Sequence, residues 1–140
     1  MTENIAAKLN AVPHRVTDPE MIPAERYYDP AFFELEKQHL WPHVWQMACR
    51  LEQIPELGDW IEYNNVGKSV IVVRTRDGVK AFQNHCRHRG TELCHEDKGN
   101  TTHFRCPYHG WIYKNDGDFV GAPDMNLAYG KTFDKAKWGL

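Results

Sequence analysis

Cys86-Arg87-His88-Arg89-Gly90 and, further on, Cys106-Pro107-Tyr108-His109-Gly110-Trp111 are the stretches on which the reading of this chain turns. Each carries one thiol and one imidazole, spaced C-x-H in the first and C-x2-H in the second, with seventeen residues between His88 and Cys106. On both sides the chain has the texture of short antiparallel strands, β-branched or aromatic runs separated by turn residues. Trp60 to Tyr63 reads as a strand, Asn64-Asn65-Val66-Gly67 as a turn and Ser69 to Thr75 as a second strand. Arg76-Asp77-Gly78 then turns the chain back into Val79 to Gln83, with a glycine where positive φ is needed. Trp111-Ile112-Tyr113 and Asp118-Phe119-Val120 flank Lys114-Asn115-Asp116-Gly117, a loop suited to a tight reversal. The two Cys/His stretches therefore fall in loops between strands of a mainly β, antiparallel domain.

Upstream the texture differs. The first 25 or so residues are polar and broken by Pro13, Pro19 and Pro23, which reads as a surface arm. At Asp29-Pro30 a helix can start, with Asp29 as N-cap; Phe32, Phe33, Leu35 and Leu40 follow at helical spacings up to Pro42, so the helix should pack through an aromatic face. The expected organisation is an N-terminal arm and short helix over residues 1–45 and a β domain over 46–140. A chain of 140 residues with 41% apolar and 26% charged residues has the composition of an ordinary globular domain, which excludes the disordered class. The net charge of -2, without a basic stripe, argues against nucleic acid as a partner. The longest apolar run, Val70 to Val73, is too short to span a bilayer, and Met1-Thr2-Glu3-Asn4 does not open a signal peptide, so a cytoplasmic, membrane-free protein is expected.

The four cysteines, Cys49, Cys86, Cys94 and Cys106, are in that setting reduced thiols or metal ligands. Of eight histidines, His85, His88, His103 and His109 lie within three residues of Cys86 or Cys106. Two loops offering a thiolate and an imidazole each would suit one tetrahedral zinc or an iron–sulfur cluster with a histidine-ligated iron. Structural zinc sites usually begin with a close Cys-Cys pair, and neither pair here is Cys-Cys. In C-x-H plus C-x2-H each loop can instead send its Cys to one iron and its His to the other.

These motifs, with Glu92-Leu93-Cys94, Phe104-Arg105, Ile112-Tyr113 and Gly121-Ala122-Pro123 around them, resemble the N-terminal Rieske [2Fe-2S] domain of the α subunit of Rieske non-haem iron oxygenases, the ring-hydroxylating dioxygenases and related monooxygenases. The lead-in, with Trp41, Trp45 and the Gly58-Asp59-Trp60 strand entry, extends the resemblance from about Tyr28 to the end. It implies a Rieske-type antiparallel β domain and one 2Fe-2S cluster. Cys86 and Cys106 would hold one iron, His88 and His109 the other, and Arg89, Trp111 and Tyr113 would stand behind them. Positions that form a disulfide in respiratory-chain relatives are Thr91 and Tyr108 here; their serine donor falls at Trp111, while the tyrosine donor is kept as Tyr113. A carrier at the low-potential end of the Rieske range is expected.

The resemblance further implies an oxidoreductase of aromatic hydrocarbon catabolism. A ferredoxin or flavin reductase would pass electrons through the cluster to mononuclear Fe(II) in a catalytic domain beyond these residues, within a homotrimer or α3β3 assembly. The β domain is then expected to be cut short at its C-terminal end, leaving an edge strand unpaired. A standalone Rieske-type ferredoxin is the alternative. Glu36, His39 and His43 imitate a facial triad, but Pro42 interrupts their helix, so they are not expected to hold iron. His85, His95 and His103 read as loop residues outside the motif, and Cys49 and Cys94 as packed thiols.

Overall fold

The structure, a computed structural model, describes residues 21–140. Most of the polar arm read from the sequence thus lies outside the described residues. The chain divides between Gln46 and Met47 into two compact units.

In the first unit, helix α1 spans Pro30–His39. Asp29 caps it as its sequence requires, its carboxylate accepting the Ala31 N–H at 2.9 Å, with proline in the first turn. A short 3-10 turn, Trp41–His43, follows at Pro42. Only half of the expected aromatic face is realised: Phe32 is buried beneath the Arg26 guanidinium, 5.1 Å from its ring, whereas Phe33 is 46% exposed. Adjacent helical residues point about 100° apart, so both rings cannot share one narrow stripe.

The second unit holds two antiparallel sheets. Strands β1 (Asp59–Asn65), β2 (Lys68–Thr75) and β3 (Gly78–Gln83) form a meander, and β4 (Lys98–Asn100) pairs with the free side of β1, giving the order β3-β2-β1-β4. Strands β5 (His103–Arg105), β6 (Ile112–Lys114) and β7 (Phe119–Gly121) form the second sheet in sequence order. Period-two alternation sorts the first sheet into two faces. Trp60, Ile71 and Val73 belong to one buried cluster with Phe104, Tyr113 and Phe119 of the second sheet. Ile61 and Val72, from the intervening positions, pack with Ile54 on the opposite face. Both faces are thereby covered, each large side chain contributing roughly 1.5–3 kcal/mol of burial.

Three details differ from the sequence expectation. The β1–β2 turn is only Val66-Gly67, at φ 46° and 75°, because Asn64 and Asn65 continue β1 and pair with Ser69 and Lys68. Strands β6 and β7 each start one residue later than expected, with an irregularity at Ile112/Tyr113, and Trp111 belongs to the preceding loop. Finally, β4 and β5 were absent from the expectation, as was helix α2 (Met125–Tyr129). After α2 a 3-10 turn, Lys135–Trp138, brings the chain back to β7, where Lys135 donates to the Val120 carbonyl at 2.7 Å and the Leu140 N–H donates to Gly117 at 2.9 Å.

Candidate metal centre

The two Cys/His stretches fold into loops of the same construction. In loop 1, between β3 and β4, the Cys86 N–H donates to the Thr91 carbonyl at 2.7 Å and the Gly90 N–H to the Cys86 carbonyl at 2.8 Å. In loop 2, between β5 and β6, the Cys106 N–H donates to Trp111 at 2.8 Å and the Gly110 N–H to Cys106 at 3.1 Å. Each loop turns on a glycine with positive φ, 72° at Gly90 and 70° at Gly110, a conformation that costs other residues a steric penalty. The common spacing Cys-x3-Gly, Cys86 to Gly90 and Cys106 to Gly110, is the sequence signal of this shared construction.

The loops bring like donors together. Cys86 and Cys106 are buried at 1% and 2% exposure in the same core cluster, with Cys106 close enough to act on the Cys86 thiol. The His88 and His109 rings meet edge to face, with centroids 4.8 Å apart. Among the described residues no three His, Cys, Asp or Glu side chains are grouped to hold a single metal ion. The four motif residues are brought together thiol with thiol and ring with ring, the arrangement that a cluster with one thiolate-held and one imidazole-held iron needs.

Two observations test the fit of such a group. His88 Nδ1 is buried without a hydrogen-bond partner, an unusual state for a polar atom and one a metal would relieve. Burial pushes the Cys86 thiol up, and Cys106 beside it pushes the same way, against the hydrogen bonds from Tyr113 and the loop backbone. Holding the Cys86 sulfur as a thiolate therefore calls for positive charge beside it, which iron supplies. His88 is shifted down by burial, then by the neighbouring His109 and Arg89, so it stays a neutral donor.

The surrounding residues fix this arrangement. Tyr113 is completely buried; its Oη accepts the Arg87 N–H at 3.1 Å, which leaves its own proton for Cys86 Sγ at 3.2 Å. Trp111, 1% exposed, lies flat on the His88 ring, with centroids 4.9 Å apart and planes 9° from parallel. Arg89 is exposed and reaches the site through its charge on His88. Two contributors escaped the sequence reading. Asn84, 3% exposed, accepts the N–H groups of Leu93 and Cys94 at 3.1 and 2.9 Å and donates to the Cys94 carbonyl at 2.8 Å, stapling loop 1. Tyr129, on α2, accepts the Trp111 indole N–H at 3.2 Å. An aspartate or asparagine just before a loop is too common to single out Asn84, and Tyr129 lies outside any motif.

The residues set aside have partners or places of their own. His95 pairs with Glu92 at 3.5 Å, His103 meets Thr102 Oγ1 at 2.9 Å, and His39 and His43 sit on α1 and the turn after it. Cys94 packs in the main core, and Cys49 borders the smaller one. All four cysteines are free. No helix among the described residues is long and apolar enough to cross a membrane.

Residues 44–131 match the family described as the Rieske [2Fe-2S] domain. The chain is 50% identical over 125 residues to the N,N-dimethyl phenylurea N-demethylase subunit alpha of Sphingobium sp. (strain YBL2), covering 88% of this chain and 27% of that protein. It is 36% identical over 120 residues to the biphenyl dioxygenase subunit alpha of Metapseudomonas furukawaii, covering 81% of this chain and 26% of the relative. Among solved structures, naphthalene 1,2-dioxygenase from Rhodococcus sp. bound to indole superposes with a TM-score of 0.83 at 37% identity, over 96% of this chain and 31% of the other. The chain thus spans about a quarter of the length of the curated relatives it matches.

Proposed function

The chain belongs to the Rieske [2Fe-2S] domain family, and from that premise we propose that residues 46–140 are the electron-transfer domain of a Rieske-type ring-hydroxylating oxygenase α subunit. The observation that carries this reading is the pairing of Cys86 with Cys106 and of His88 with His109 at the tips of two loops built alike. Cys86 and Cys106 would hold one iron, and His88 and His109 the other. When bound, the 2Fe-2S cluster supplies a centre that takes and gives one electron, at a potential above that of an all-cysteine cluster.

The chain's own residues do the rest. Tyr113 holds its hydroxyl proton against Cys86 Sγ, where it stabilises negative charge. Trp111 covers one face of His88 and keeps water from it, while the exposed His109 and Tyr108 present the other end of the site at the surface. Electrons would enter from a ferredoxin or flavin reductase and leave through the His109 side toward mononuclear Fe(II), in a catalytic domain that these residues do not contain, within a homotrimer or α3β3 assembly. An aromatic compound is the substrate class supported by the relatives' names, phenylurea, biphenyl and naphthalene. The same names, two of dioxygenases and one of an N-demethylase subunit alpha, favour this reading over a standalone ferredoxin.

The test is direct. Anaerobically purified protein should hold two irons and two acid-labile sulfides per chain and give a Rieske-type EPR signal after dithionite reduction. One zinc per chain and no sulfide would overturn the reading.

A further inference from the structure

The C-terminal segment does more than close the domain: we propose that Tyr129 is a positioning residue for His88, acting through the indole of Trp111. The inference rests on the cluster reading above. Trp111 has one polar atom, its Nε1–H, and is 1% exposed, so that donor must find an acceptor inside the protein. The acceptor is Tyr129 Oη at 3.2 Å. Rings meet the indole at steep angles, Tyr129 at 5.7 Å and 82°, Phe133 at 6.2 Å and 89°, and Trp138 at 5.5 Å and 79°. These contacts confine its position, but edge-to-face packing tolerates rotation, whereas a hydrogen bond at one point of the ring does not.

His88 takes its orientation from that ring. Its imidazole is stacked on the indole at 4.9 Å and 9°, and Tyr129 meets the same imidazole edge-on at 6.5 Å and 87°. The buried, unpartnered Nδ1 belongs to this imidazole, so the plane of the indole sets the direction in which His88 offers its donor atom. Tyr129 thus carries a constraint from α2, outside both loops, to one ligand of a pair. His109, on the exposed side, lies tilted against Tyr108, with centroids 3.7 Å apart and planes 32° from parallel, and among the described residues no indole is stacked on it. The two imidazoles are therefore held by different means, and a change at Tyr129 should be felt by one of them.

The experiment compares the cluster-loaded chain with its Tyr129→Phe, Trp111→Phe and double variants. It measures iron and sulfide content, thermal midpoint, the two histidine nitrogen hyperfine couplings by pulsed EPR, and the reduction potential. Tyr129→Phe should keep the cluster, lower the thermal midpoint by several degrees because the buried Trp111 N–H loses its acceptor, change one of the two nitrogen couplings and shift the potential. Trp111→Phe should change the same coupling, and the double variant should shift no further than the larger single shift, since both substitutions remove one hydrogen bond. Unaltered couplings and potential in Tyr129→Phe, or shifts that add in the double variant, would overturn the inference while leaving the cluster reading intact. Absence of a Rieske signal from the unsubstituted chain would overturn both.

Discussion

Tyr113 is a donor by what the resemblance implies, and its hydroxyl lies 3.2 Å from Cys86 Sγ. What the sequence did not contain was the second half of the device, the Arg87 N–H that donates to the same oxygen at 3.1 Å and orients its proton. Burial and the Cys86 contact push the Tyr113 phenol up, so the proton stays on the oxygen and remains available for donation. A donor aimed at a cluster thiolate favours the more negative, reduced form, and removing it should lower the potential. If the bond is about 1 kcal/mol stronger in the reduced form, a modest figure for a hydrogen bond to a charged group, Tyr113→Phe lowers a one-electron potential by roughly 40 mV. Protein-film voltammetry would check this; an unchanged potential would mean that the hydroxyl serves only the Arg87 backbone. Asn84 is the opposite case, a buried side chain that no motif announces. Asn84→Ala strands the Leu93 and Cys94 N–H groups and should cost roughly 2–4 kcal/mol, seen as a lowered urea midpoint.

At the scale of elements, the long strands were readable and the short ones were not. β1, β2 and β3 carry six to eight residues each, long enough for alternation to show, whereas β4 reads Lys98-Gly99-Asn100 and is fully exposed. It exists because Gly99 lets the strand lie against Trp60: a Cβ there would come within 2.9 Å of the indole nitrogen. Such a reason is tertiary and leaves no periodic trace. The β1–β2 turn shows the same limit: Asn64 to Gly67 reads as the turn, but the pairing of Asn65 with Lys68 shortens it to Val66-Gly67 and puts Val66 at φ 46°. A β-branched residue in the left-handed region is strained, and a two-residue hairpin turn of this kind prefers Asn followed by Gly. Val66→Asn should therefore stabilise the unit by about 1 kcal/mol, raising the thermal midpoint by a few degrees; a lowered midpoint would show that Val66 contributes packing that outweighs its strain.

For the molecule as a whole, the two ends of the pH scale are set by groups outside the four motif residues. Asp59 accepts from the Asn100 side chain at 2.8 Å and from the Glu56 N–H at 2.8 Å, tying β1 to β4 and to the preceding turn, and these bonds hold its carboxyl below the ordinary value of 3.8. A depressed carboxylate stabilises the fold above its unfolded pKa, and that stability is lost as pH falls through the folded value, so the loss lies below about pH 4. Cys94 acts at the other end: burial, with Glu62 and Glu92 nearby, pushes its thiol from 9.0 up to about 12. Here the folded state keeps a proton that the unfolded chain releases, so the contribution is complete below pH 9 and declines as pH rises toward 12. Asp59→Asn should flatten the acid limb of a plot of thermal midpoint against pH and leave the alkaline limb alone. Cys94→Ala should do the reverse, making the alkaline limb shallower, with Tyr113 still contributing to it because burial raises its phenol. The readout is the slope and not the height, because either substitution also changes packing by an amount that does not vary with pH. An alkaline slope unchanged in Cys94→Ala would mean that the Cys94 thiol titrates alike in the folded and unfolded chain.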